Sequence, residues 1–272
     1  MKIFIPTYGR EEIISTHKLL DGYNWKIVVD NDEVKQKYLE VAKIPEERIL
    51  VSGGKSLVET RKWIDETQVK MGEWYMTMDD NIKHFTAHPE PYYSKPETLK
   101  ITPEVRKSIE YNEIGIPKLM EYIKEDLKLA DKIGAHLYGF AILRNYKFRR
   151  KKYSPIGYII AKAWCIKKSN VEWDTRMTVS EDTDMTAQHI LHHGVVLRNN
   201  YIKPVATHYA KGGLGDVNKR IEKGRFEQIA IMLDKYPGLY EIAKKSTVPD
   251  GFDVRFKTYD FDKIQEWRKS LL

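Results

Sequence analysis

The chain predicts an α/β fold, a mostly parallel sheet flanked by helices, on three observations. Short apolar segments alternate with helix-patterned segments through the first 80 residues. Four of those apolar segments deliver a hydroxyl or an acid at their ends, namely Thr7, Asp30, Ser52 and Asp79. The chain has 272 residues, 42% of them hydrophobic and 31% charged, which is enough to bury a sizeable core and too apolar for disorder.

Each element has its own signal. Lys2–Pro6 reads as an opening strand, and Arg10–Leu20 carries helical spacing through Ile13, Ile14, His17 and Leu20. Trp25–Asp30 is a second strand, Glu33–Val41 a helix, and Arg48–Val51 a third strand followed by Ser52-Gly53-Gly54. Ser56–Lys70 is an amphipathic helix with Leu57, Trp63, Ile64 and Val69 toward the core. Glu73–Met78 is a fourth strand that ends at Asp79-Asp80-Asn81. Phe85–Pro103, rich in Pro, Tyr and polar residues, reads as a loop, and Pro117–Ile133 as a helix. Ala135–Arg144 and Pro155–Lys167 read as strands joined by the basic stretch Tyr146–Tyr153. Glu181–His193 is a helix, Val195–Lys203 a strand and Val217–Tyr236 a long helix, with a strand and a helix in Phe252–Leu272. The expected organisation is one domain over residues 1–215, with a small C-terminal helical extension over 216–272 packed on it.

Composition narrows the setting. Cys165 is the only cysteine, so an intramolecular disulfide is impossible and a reducing cytoplasm is the simplest location. No apolar run reaches the roughly 18 residues of a membrane span, and the strand-like start predicts no signal peptide. A net charge of +7 favours an anionic partner, a nucleotide, a nucleic acid or a membrane surface.

Two acidic clusters carry the chemistry. Asp79-Asp80-Asn81, at a strand end in the crevice of a parallel sheet, is a hard-oxygen site suited to Mg²⁺ or Mn²⁺. Such an ion can neutralise a diphosphate as its bond to a sugar breaks. A solvated turn that caps a helix is the competing reading. Glu181-Asp182-Thr183-Asp184 opens a helix, where carboxylates favour the positive end of the dipole. Three carboxylates in four residues exceed what capping needs, and one suits a general base toward a hydroxyl. His208 and the Lys211-Gly212-Gly213 run form a third element, in which the glycines permit close approach to phosphate.

In this order the motifs resemble the GT-A fold of glycosyltransferases, specifically the family 2-like group. The matching residues are Ile5-Pro6-Thr7-Tyr8-Gly9-Arg10, Val29-Asp30-Asn31, Gly53-Gly54-Lys55 with Thr60-Arg61, Asp79-Asp80-Asn81 and Glu181-Asp182-Thr183-Asp184-Met185. The resemblance implies a Rossmann-like donor domain. Pro6, Thr7, Tyr8, Arg10, Asp30, Lys55, Arg61, Asp79 and Asp80 would bind a nucleotide-sugar such as a UDP-sugar, Asp30 through the base. Asp80, Asn81 and His208 would lie at a divalent metal, Mn²⁺ or Mg²⁺, although Asn81 replaces the usual last Asp of the motif. Asp182, with Glu181 beside it, would be the catalytic base of an inverting transfer.

The acceptor is approached through Tyr146–Tyr153, which interleaves five cations with three aromatics, a composition suited to phosphate contact and base stacking. Lys147, Arg149, Arg150 and Lys151, with Lys211, are the expected DNA contacts; a solvated hairpin loop is the competing reading. Pro-Thr-Tyr-Gly-Arg and Asp-Asp-Asn-Ile also resemble the phage-type, TET-associated glycosyltransferases. That similarity implies a 5-hydroxymethyl-pyrimidine acceptor in DNA, flipped from the duplex, in a host cytoplasm. Transfer to a surface polysaccharide, or a module that binds nucleotide or DNA without turnover, are the alternatives.

Overall fold

The computed structural model describes residues 1–7, 9–88, 112–140, 151–206, 217–244 and 252–271. Its central sheet has eight strands in the order β3-β2-β1-β4-β9-β7-β10-β8. These are β1 (Lys2–Pro6), β2 (Trp25–Val29), β3 (Ile49–Val51), β4 (Trp74–Met78), β7 (Leu137–Phe140), β8 (Tyr153–Ser154), β9 (Ala163–Lys167) and β10 (Leu197–Asn199). The pairings make six of the eight run in one direction, with β9 and β8 reversed.

The strands are buried on both faces, which is why they read as continuous apolar runs. Ile3 and Ile5 of β1 enter one core cluster with Ile27 and Val29, while Phe4 enters the other with Val28. Helix α1 (Asp32–Glu40) is N-capped by Asn31, and α2 (Leu57–Trp63) by Ser56, whose Oγ accepts from Glu59 N at 3.3 Å. Helix α3 (Ile116–Ile133) ends on Gly134, which takes the left-handed conformation with φ 74°. Helix α4 (Glu181–His193) follows β9, and α5 (Val217–Lys235) and α6 (Phe261–Leu271) flank a hairpin of β12 (Tyr240–Lys244) and β13 (Phe252–Phe256). The C-terminal segment therefore contains a hairpin between its two helices. No helix among the described residues is long and apolar enough to cross a membrane.

Four expectations are corrected. Over Arg10–Leu20 only Thr16–Leu19 forms a 3₁₀ turn, because Thr16 and Ser15 are drawn into tertiary bonds. Thr16 Oγ1 donates to Asp79 O at 2.6 Å and accepts from Ile82 N at 2.8 Å. Phe85 lies within a strand, β5 (Ile82–Ala87), which joins β6 (Asn112–Ile114) and β11 (Ile202–Ala206) in a second sheet. The predicted strand Val195–Lys203 is two strands in different sheets: the Asn199 side chain accepts from Tyr201 N at 2.9 Å and turns the chain. Pro155–Lys167 pairs only from Ala163 on. Gly157 sits at φ +117°, with the Arg198 guanidinium 2.8 Å from where a Cβ would stand, so residues 155–162 leave the ladder and cross toward α4.

Candidate active site

The parallel register of β1, β2, β3 and β4 brings their C-terminal ends to one edge. Thr7, Asp30, Ser52 and Asp79 therefore share a crevice, as the alternation of strand and helix required. Pro6 closes β1 and is buried, and Thr7 N continues the pairing with Val28 O at 3.0 Å.

On the β1 side the polar groups are paired with one another. Asp80 is 5% exposed, and both of its carboxylate oxygens are engaged. Oδ2 accepts from Thr7 Oγ1 at 2.6 Å and Oδ1 from Arg10 Nη1 at 2.7 Å. Thr7 Oγ1 also meets Tyr38 OH at 2.5 Å, and that hydroxyl accepts from Arg10 N at 3.2 Å. Asp80 thus shapes the first loop, with neither carboxylate oxygen left unpaired. Asp30 differs: its Oδ1 is buried with no hydrogen-bond partner among the described residues, while Oδ2 accepts from Asn31 at 3.2 Å. A buried acceptor with no partner carries an uncompensated desolvation cost that an N–H donor would relieve. Gly54 is needed at the α2 entry, since a Cβ there would stand 2.9 Å from Thr60 N. Lys55 beside it is exposed.

The centre is Arg61, projected from α2 and only 1% exposed. Its Nη1 donates to Glu181 Oε1, and its Nη2 lies 3.4 Å from Asp79 Oδ1 and 3.2 Å from Ala161 O. The guanidinium carbon sits 5.4 Å from the centroid of the Trp164 ring. One buried cation thus joins the two acidic clusters, which lie about 100 residues apart in the chain. Residues 155–162 complete the join: Lys162 O accepts from Asp79 N at 2.7 Å, and Ala161 N lies 3.4 Å from Asp182 Oδ2.

Helical geometry separates the acids of the second cluster. Glu181 turns to Arg61. Asp182 accepts from Tyr158 OH on Oδ2 and from Thr183 N at 2.8 Å on Oδ1. Asp184, 1% exposed, is held by Lys235, Tyr236 and Gln188 at 2.6–2.7 Å and faces away from the crevice. Burial dominates the electrostatics. It pushes the Asp79 carboxyl up to about 6 against the pull of Arg61, and raises Glu181 above the ordinary carboxylate range against the same cation. Asp182 is likewise raised by burial, opposed first by the Tyr158 hydrogen bond. Burial and the Asp182 charge hold the Tyr158 hydroxyl well above its usual range, so it remains a proton donor to the carboxylate.

Asp79 is the carboxylate with room for a cation, its side chain being 31% exposed at the crevice. Among the described residues no three His, Cys, Asp or Glu side chains gather as a metal cage. Mg²⁺-type ions at nucleotide sites take one or two carboxylates and complete their shell with phosphate and water, and Asp79 beside Asn81 fits that mode. Tyr8, Lys147, Arg149, Arg150, His208 and Lys211 lie outside the described residues; Lys151 is exposed and its carbonyl accepts from Asn200 at 3.0 Å. Tyr38, Thr16 and Tyr158 were not singled out from sequence. Pro155 followed by Gly157 is the sequence signal that could have marked the departure of residues 155–162 from the sheet.

A donor crevice at strand ends, set against an acid pair on a helix start and joined to it through one cation, has the layout of an α/β glycosyltransferase. Residues 1–213 match the model of the TET-Associated Glycosyltransferase family, and the chain belongs to that family. It is accordingly a glycosyltransferase. The curated proteins return no match.

Proposed function

We propose that this enzyme moves a sugar from a nucleoside-diphosphate donor, such as a UDP-sugar, to a 5-hydroxymethyl-pyrimidine in DNA, with inversion and with help from a divalent cation. The observation that carries the reading is the Arg61 bridge, which fixes the donor-side acid Asp79 and the acid pair Glu181-Asp182 about one buried guanidinium.

Asp30 takes the base through its open oxygen. Asp79, with Asn81, would hold Mn²⁺ or Mg²⁺, which when bound neutralises the charge that develops on the diphosphate. Asp182 accepts the proton of the acceptor hydroxyl as that oxygen attacks the anomeric carbon; the bond to the diphosphate breaks on the opposite side, so configuration inverts. Tyr158 and Ala161 N–H keep the carboxylate aimed and ionised, since hydrogen bonds to the charged form favour it. Glu181, neutralised by Arg61, keeps the site from accumulating two free negative charges.

The DNA acceptor is supported by the net charge of +7, by the cation-aromatic run 146–153, and by a family named for its association with TET. A base carrying the hydroxymethyl group must leave the stack to reach Asp182. A cytoplasm, that of the host if the gene is a phage's, suits a chain with one cysteine.

The test is to incubate the protein with a panel of nucleotide-sugars, Mn²⁺, and duplexes carrying 5-hydroxymethylcytosine, 5-hydroxymethyluracil or neither. Nucleoside mass spectrometry should show a sugar increment on a hydroxymethylated base only, and a chelator should abolish it. Glycosylation of small sugars with the DNA untouched would replace this acceptor with a saccharide.

A further inference from the structure

The family match ends at residue 213, yet chain beyond it grips the helix that carries the acid pair. Asp184 is the anchor. It lies two residues after Asp182, about 200° around a helix, so the two carboxylates face opposite sides. Lys235 Nζ donates to Asp184 Oδ1 at 2.6 Å and to Asp174 Oδ2 at 2.9 Å, and Tyr236 OH donates to Asp184 Oδ1 at 2.7 Å. Tyr240 OH donates to Thr183 O at 3.1 Å, one residue from Asp182. The approach to α4 is held as well: Gln228 accepts from Val179 N at 3.2 Å and donates to Thr178 Oγ1 at 2.9 Å. At the other end Arg268 donates to Leu191 O at 2.5 Å and His192 O at 3.1 Å, and Gln265 to Gly194 O at 2.6 Å.

Both ends of α4 are therefore fixed by α5, β12 and α6. The charge inside the grip makes it selective. A carboxylate 1% exposed is tolerated only while its cation and hydrogen bonds are present. Its stable place is therefore the one orientation of α4 that meets Lys235, and that orientation turns Asp182 to Tyr158 and Ala161.

We propose that α5 with Tyr236, β12 and α6 are a clamp that sets the rotation of α4, with Lys235 and Tyr240 as positioning residues that act on Asp182 through Asp184 and the Thr183 carbonyl. The proposal rests on Asp182 being the base of the transfer. Among the described residues no hydrogen bond or ion pair joins the clamp to Thr7, Asp30 or Asp79, so its loss should strike turnover and spare nucleotide binding.

The full-length chain is used throughout, with Lys235→Met, Lys235→Arg and Tyr240→Phe. In Lys235→Met, kcat should fall by about 10²-fold, the loss that a misplacement near 1 Å brings. UDP affinity by calorimetry should stay within about twofold, equivalent to under about 0.5 kcal/mol, Lys235→Arg should regain most of the rate, and Tyr240→Phe should show a smaller loss of the same kind. A second readout needs no substrate. Fluorotyrosine placed at position 158 reports by ¹⁹F NMR whether its hydroxyl bonds Asp182, and Lys235→Met should move that signal to where D182A moves it. An unmoved signal in folded Lys235→Met, or wild-type kcat, overturns the clamp. So does a rate loss matched by loss of UDP binding, which is general unfolding. Wild-type protein that binds no nucleotide and transfers nothing contradicts the proposed function instead, and the fluorine signal still decides the clamp.

Discussion

Replacing Arg61 with Met is the sharpest perturbation of the site's architecture. Methionine keeps an apolar stem against Trp164 and removes the charge. The guanidinium is 1% exposed and serves Glu181, Asp79 and the Ala161 carbonyl, so its loss leaves Glu181 without its buried cation and Asp79 with only the weaker pull of Lys162 and Arg10. Breaking a buried pair from one side costs about 3–5 kcal/mol, and that is the expected loss at pH 7. The loss must also depend on pH. Asp79 already stands raised to about 6 and Glu181 is raised too, with Arg61 opposing both shifts. Without it both folded values rise further. A group whose folded value is raised favours folding below its unfolded value and disfavours it as pH climbs through the folded one. The deficit of the variant should therefore be largest at pH 8 and shrink toward pH 5, by about 1.4 kcal/mol for each unit of added shift. Urea unfolding at pH 5, 6, 7 and 8, without divalent cation, measures it, and R61M/E181Q should recover part of the loss. A deficit below about 1 kcal/mol, or one that does not change with pH, would refute the bridge.

Other outcomes follow from the same contacts. Tyr158→Phe removes one donor to Asp182, so the carboxyl rises and the acid limb of the kcat–pH profile moves upward, by about one unit if the bond is worth about 1.4 kcal/mol; an unmoved limb would detach Tyr158 from the base. Gly157→Ala places a Cβ at φ +117° against Arg198 and should cost about 1–3 kcal/mol of stability by chemical denaturation. His88 is 3% exposed, its ring centroid lies 4.0 Å from that of Tyr201 with the planes tilted by 43°, and it is lowered by burial to about 4, below its ordinary 6.5. Its contribution is complete above the unfolded value near 6.5 and is lost as pH falls from there toward 4, up to about 3 kcal/mol. His88→Phe should flatten the fall in urea midpoint between pH 7 and 4.5, with the similarly lowered His189 and His193 keeping a share of it.

Much of the strand-end crevice is legible in the sequence because it is local. A parallel strand buried on both faces reads as an apolar run, and its terminal residue is placed by the sheet edge, so Thr7, Asp30 and Asp79 could be assigned to one crevice before any coordinates. The joins are not local. Arg61 and Glu181 are 120 residues apart, and nothing in the α2 pattern says that its arginine turns inward. Asp182 and Asp184 look alike in sequence and are separated only by helical rotation and by Lys235, whose position depends on the C-terminal segment. Arg10–Leu20 has genuine helical spacing, but the backbone of Asp79 and Ile82 claims Thr16 and overrides it. Asp80 carries the clearest metal-motif signal and is engaged by Arg10 and Thr7, partners that a strand-end motif does not announce.

In the proposed mechanism one carboxylate, Asp182, does the chemistry while the others build the site. The direct measurement compares wild type with Asp182→Asn for UDP binding by calorimetry and for sugar transfer to hydroxymethylated duplex DNA by mass spectrometry. Equal nucleotide affinity is expected, with transfer reduced by at least about 10²-fold, the lower range for loss of a general base. Asp182→Asn that transfers at the wild-type rate would contradict that mechanism.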